Sequence, residues 1–104
     1  MIKQMKKPMP KPPTKVVVTD PKQAVQMLKT YINESDEYVR VKGNRKKHAT
    51  VMMMCNWYLK SYNQAVNPGW FGRTLNYVSN TSNKVTTAQV EVDGLVRTAY
   101  RLGA

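Results

Sequence analysis

The sequence predicts a mainly α fold: a small single domain of about three helices around a central one, with room for a short two-stranded element, behind an extended basic tail. Three observations predict it. Apolar residues recur at three- and four-residue intervals in three separate stretches. Capping signals precede the first and the third of them. The first fifteen residues hold four of the six prolines and five lysines, which leaves helix and core to the rest of the 104-residue chain. The expected boundaries are a tail or strap over 1–18 and one domain over 19–104.

Residues 1–15 are read as extended, polyproline-like or disordered backbone, because proline lacks the backbone donor and lysine supplies no core. Val16, Val17 and Val18 form a β-branched patch that can pair as an edge strand or pack as a strap. Thr19, Asp20 and Pro21 then start a helix, with a capping side chain followed by proline at the first helical position. It runs to about Asn33, burying Ala24, Val25, Leu28, Tyr31 and Ile32 while Lys22, Gln23, Gln26 and Lys29 face water.

Asn33 to Glu37 is polar, Tyr38 to Lys42 is a short strand or a helical extension, and Gly43 with Asn44 makes a turn. The central helix is expected from Arg45 to about Val66, roughly 30 Å at 1.5 Å per residue. Its apolar face is wide, with Met52, Cys55, Leu59, Tyr62 and Val66 on one stripe and Val51, Met54 and Tyr58 on the next. At helical spacing Met52, Met53 and Met54 cannot all point inward. Asn67, Pro68 and Gly69 are read as the stop, and Trp70 and Phe71 follow either as anchors folded back on the central helix or as an exposed binding tip. Arg73 to Val78 is a helical turn or a strand, and Ser79 to Lys84 a loop. For residues 86–102 two readings stand. Asp93 and Gly94 between apolar residues suit a hairpin turn. The helix is preferred, because Thr86 and Gln89 match a capping box and Ala88, Val92, Leu95, Val96, Ala99 and Leu102 keep one helical face, although Gly94 would cost it about 1 kcal/mol.

The net charge of +11 is concentrated. Lys3, Lys6, Lys7, Lys11 and Lys15 fill one acid-free run and Arg40, Lys42, Arg45, Lys46 and Lys47 another. The other residues nearly balance. Such clustering points to an acidic partner, either nucleic acid or an anionic protein surface. A secretory leader is excluded by Pro8, Pro10, Pro12 and Pro13 where an apolar stretch would be needed, and the most apolar segment, Ala49 to Leu59, is too short to span a bilayer. A soluble intracellular protein is expected.

Catalytic groups are scarce. His48 is the one histidine and lies in the basic run, where positive charge disfavours its protonated form. Asp36 with Glu37, and Glu91 with Asp93, are the close carboxylates, too few for a metal-dependent nuclease. Cys55 stands alone in an apolar run and reads as a small buried hydrophobe. No zinc ligand set and no glycine-rich phosphate loop is present. The expected class is therefore a binding protein, not an enzyme, with no metal and no cofactor. For nucleic acid, the basic residues before the central helix and the tail would hold phosphates, and Trp70, Phe71 or Tyr77 would stack on bases. For a protein, the tail would order on an acidic groove and the methionines and aromatics would provide an adaptable apolar surface; this reading is preferred.

The proline-lysine tail, the Asn67-Pro68-Gly69-Trp70 run, the chain length and the lack of catalytic groups resemble the short host-takeover proteins of bacteriophages, and among them the second anti-RecBCD protein of lambdoid phages. The resemblance implies a protein of the host bacterial cytoplasm that binds the RecBCD helicase-nuclease through RecC, near the part that recognises Chi, and turns double-strand-end processing toward phage recombination. Emerging single-stranded DNA or a phage recombinase are further partners under that reading. A separate expectation makes Pro68 either a cis peptide or a site for a host prolyl isomerase, with a plain structural turn preferred. The alternatives are a small nucleic-acid-binding accessory protein and an inhibitor of host RNA polymerase.

Overall fold

Asp20 and Asn67 are each followed by proline, and each opens a helix; most of the architecture hangs on those two points. The computed structural model describes residues 11–35 and 47–103. Lys3, Lys6, Lys7, Arg40, Lys42, Arg45 and Lys46, the Tyr38–Lys42 element, the Gly43–Asn44 turn and the Asp36–Glu37 pair all lie outside them. In chain order the elements are β1 (Thr14–Val16), α1 (Pro21–Glu34), β2 (Ala49–Thr50), α2 (Val51–Tyr62), β3 (Gln64–Val66), α3 (Pro68–Thr81), β4 (Val85–Val92) and β5 (Leu95–Leu102). The strands form a parallel pair, β1 with β3, and an antiparallel sheet in the order β2-β5-β4. This is an α/β fold, which corrects the mainly α expectation.

The first helix forms where expected. The Asp20 carboxylate accepts the Lys22 N–H at 3.0 Å, Pro21 occupies the first turn, and Ala24, Met27, Leu28 and Tyr31 turn into the core. The long central helix is not formed. Thr50 caps α2 by accepting the Met53 N–H at 3.2 Å, and Asn63 ends it in the left-handed region at φ 52°, so the helix has twelve residues, about 18 Å. Residues 49–50 and 64–66, assigned to that helix from the sequence, are strands. The Asn67-Pro68-Gly69 stop is likewise a start. The Asn67 side chain accepts the Trp70 N–H at 3.0 Å, Pro68 sits in the first turn after a trans peptide, and α3 buries Phe71, Thr74, Leu75 and Val78.

The preferred helix over 86–102 is replaced by the hairpin β4–β5. Its two-residue turn has Asp93 at φ 52° and Gly94 at φ 80°, the pair of positive values a type I′ turn requires. Thr86 pairs with Arg101 and Gln89 with Thr98, so the two residues of the supposed capping box are ladder positions, and the Gln89 amide donates to the Thr98 hydroxyl at 3.3 Å. On the other side of β5, β2 pairs only with Ala99 and Tyr100.

The valine patch serves both as strand and as strap. β1 runs parallel to β3 with Thr14 opposite Gln64 and Val16 opposite Val66, and the Asn67 N–H donates to the Val16 carbonyl at 2.8 Å. Val18 is fully buried, and its carbonyl accepts the buried Thr74 hydroxyl at 2.7 Å. The core gathers Leu28, Tyr31, Met54, Phe71, Leu75, Val85 and Tyr100 between the helices and the antiparallel sheet. A cluster of aromatic rings joins α1 to α2: Tyr31 meets Trp57 edge-on with centroids 5.4 Å apart, and Trp57 meets Tyr58 at 4.9 Å. The Tyr58 hydroxyl donates to the Met27 carbonyl at 2.7 Å.

Candidate binding surfaces

The helical period divides α3 into two faces. Phe71, Thr74, Leu75 and Val78 point inward, which leaves Trp70, Arg73 and Tyr77 on the outside. Trp70 and Phe71, treated together in the sequence reading, are thereby separated: Phe71 has no exposed surface and is core, whereas Trp70 is 44% exposed. The Arg73 guanidinium lies over the Trp70 ring, 5.3 Å from its centroid, a cation–π arrangement. With Tyr77 they line a shallow groove of about 380 Å³ whose other wall is Thr19 and Pro21. Pro21 also borders a second depression between α1 and α3, about 360 Å³, lined by Lys22, Val25, Val78 and Lys84 among others. The two depressions have Pro21 in common.

A separate groove of about 430 Å³ separates α2 from the hairpin. The three consecutive methionines explain it. Met54 is completely buried, Met53 is partly buried against the core, and Met52 is 54% exposed, so one methionine remains at the surface. Met52, Met53 and Asn56 form one wall and Val92, Leu95 and Arg97 the other. Beside it, residues 95–98 of β5 have no strand partner on the β2 side among the described residues. Leu95 and Val96, at the hairpin tip, are exposed.

Of the ten basic positions singled out in the sequence, Lys11, Lys15 and Lys47 are described, and all three are exposed. Lys11 and Lys15 flank the start of β1, where the Asn63 amide donates to the Lys11 carbonyl at 3.1 Å. The Lys47 ammonium lies 3.4 Å from the Ile32 carbonyl, at the end of α1. None of the three lines the grooves on α3 or at the hairpin. The cations that do, Arg73, Lys22, Lys84 and Arg97, were not singled out in the sequence. The helical spacing of Trp70, Arg73 and Tyr77 would have found the first, had residues 68–81 been recognised as one helix.

Burial shifts two titratable groups of the interior. Burial pushes the Cys55 thiol up from 9.0 to about 11, so it stays protonated and packs as an apolar side chain. Burial likewise raises the Tyr58 phenol from 10.0 to about 12. Tyr62 donates to the Glu34 carboxylate at 2.6 Å, and this hydrogen bond to an acceptor raises its pKa as well. Among the described residues no three His, Cys, Asp or Glu side chains converge as metal ligands, and no helix is long and apolar enough to cross a membrane. Pro68 is exposed on the first turn of α3. No family model, curated protein or solved structure matches the chain.

Proposed function

We propose that this chain is a non-catalytic phage host-takeover protein that binds host RecBCD on its RecC subunit, near the Chi-recognising region, and redirects double-strand-end processing toward phage recombination in the host cytoplasm. The partner's identity rests on the resemblance of the tail, the Asn67–Trp70 run and the chain length. The means of attachment rests on one observation, the α2–hairpin groove. Its apolar rim of Met52 and Leu95 flanks an unpaired strand edge, the arrangement by which an extended segment of another protein can be added as a strand while side-chain pockets select it. Methionine suits such a wall because its unbranched chain adapts to the surface it meets. The lysine-rich tail adds attraction to an acidic protein surface and raises the association rate.

Copurification of the tagged chain at moderate salt after nuclease treatment tests this reading. RecB, RecC and RecD are expected in stoichiometric amounts, and Met52→Glu and Leu95→Glu, both on exposed side chains, are expected to lose the complex by about thirtyfold in affinity with folding intact. A folded wild-type chain that captures RNA polymerase subunits, or no protein, would overturn it.

A further inference from the structure

We propose that the two depressions that meet at Pro21, between α1 and α3, together bind single-stranded nucleic acid, with Trp70 and Tyr77 as stacking platforms and Arg73, Lys22 and Lys84 as phosphate contacts. The site shares no residue with the α2–hairpin groove, so it stands or falls independently of the RecC reading.

Chemistry selects the ligand class. Trp70 and Tyr77 stay in water although the fold has a core that accepts Tyr31, Tyr58, Phe71 and Tyr100. The Arg73 guanidinium lies over one face of the exposed Trp70 ring, leaving the other face for a base, and Tyr77, seven residues on, is exposed on the same side of the helix. Two helical turns separate the platforms by about 10 Å along the helix. Successive bases in a duplex strand rise about 3.4 Å and have their faces covered, so the platforms match bases that have been unstacked and spread, as only a single strand offers. Arg73 stands between Trp70 and Tyr77 along the helix, and Lys22 and Lys84 line the depression that shares Pro21. The Asp20 carboxylate, next to Pro21, accepts the Lys22 N–H as the cap of α1. A protein segment would need acidic groups to meet three cations; a nucleic acid carries one phosphate per nucleotide and is drawn in besides by the net charge of +11.

The test is fluorescence anisotropy of the full chain with a labelled oligo(dT) of about twelve nucleotides, alongside the matching duplex. Trp70→Ala and Tyr77→Ala should each weaken single-strand binding by about tenfold. Tyr77→Phe, which keeps the ring, should bind as wild type. Arg73→Ala should lower the slope of log affinity against log salt by about 0.7, the share of one phosphate on a single strand. Trp70 and Tyr77 are both exposed, so circular dichroism should be unchanged. Wild-type affinity in both alanine variants would assign the binding to the basic tail and overturn the proposal. So would duplex binding as tight as single-strand binding, or the loss in these variants of a protein partner with oligonucleotide binding retained.

Discussion

Gly94 offers a substitution whose sign separates two architectures. In a helix, alanine would be better than glycine by about 1 kcal/mol, because the glycine backbone loses more freedom on folding and alanine has no side-chain entropy to lose. In the hairpin the same change acts in the opposite direction. Gly94 has φ 80°, and an L-residue held in the left-handed region costs about 1–2 kcal/mol. A Cβ added there meets no atom within 4 Å, so no clash or contact modifies that backbone cost. The two readings therefore differ by 2 kcal/mol or more in the effect of one methyl group. Urea unfolding followed by far-ultraviolet circular dichroism measures it: with a slope of about 1–2 kcal/mol per molar, Gly94→Ala should lower the midpoint by about 0.5–2 M with the slope unchanged. Gly94→Asn should lose less, since asparagine tolerates the left-handed region. A midpoint that rises or stays for Gly94→Ala would refute the type I′ turn and the hairpin built on it.

Asn67→Ala removes the acceptor for the Trp70 N–H and should cost about 1 kcal/mol in the same unfolding assay; a neutral result would mean that Asn67 does not cap α3. Thr74→Val leaves the Val18 carbonyl without its buried donor and should cost about 1–3 kcal/mol, with faster hydrogen exchange at the Asn67 amide as the strap loosens. Alkaline pH should destabilise the fold. Cys55 and Tyr58 have folded pKa values near 11 and 12 against ordinary values of 9.0 and 10.0, so the folded state keeps protons that the unfolded chain has released. Stability should be full below about pH 9 and fall progressively to about pH 12, and a urea midpoint as high at pH 11 as at pH 8 would contradict this.

The start of α1 was legible because a capping aspartate and a proline stand directly before an amphipathic stretch. The same pairing at Asn67-Pro68 was read as a stop, since an apolar helical pattern preceded it; proline rejects a helical predecessor whether one helix ends or the next begins, and only the asparagine's hydrogen bond to Trp70 decides. Over 86–102, helical spacing and strand alternation coincide at Ala88, Val92, Leu95 and Ala99, and only Leu102, three residues beyond Ala99, falls on the other strand face, so periodicity alone hardly separated the two. The density of β-branched residues at 85–87, 90, 92, 96 and 98 and the Asp93-Gly94 pair were the better signals. The break of α2 at Asn63 had little local warning, because asparagine in the left-handed region is one conformation among several until β3 finds β1. The same limit hid the candidate sites. Trp70 and Phe71 are neighbours in sequence, but their fates depend on the phase of a helix not recognised as such, and the α2–hairpin groove needs a strand where a helix was expected.

The parallel pairing of β1 with β3 also sets a timetable. Thr14 and Gln64 stand fifty residues apart, so β1 and the buried Val18 have no partner until the segment after α2 has left the ribosome. β2 waits longer still: its pairing is with Ala99 and Tyr100, both buried and both on the last strand to be made. At about 5–20 residues per second the nascent chain spends several seconds with its valines, Leu28 and Met54 uncovered. Closure of the core is therefore late. A chain whose synthesis stops short of Tyr100 leaves β2 without its partner and the core open on the antiparallel-sheet side, and should be recognised by chaperones and proteases as unfolded, however much of its helical sequence has been completed.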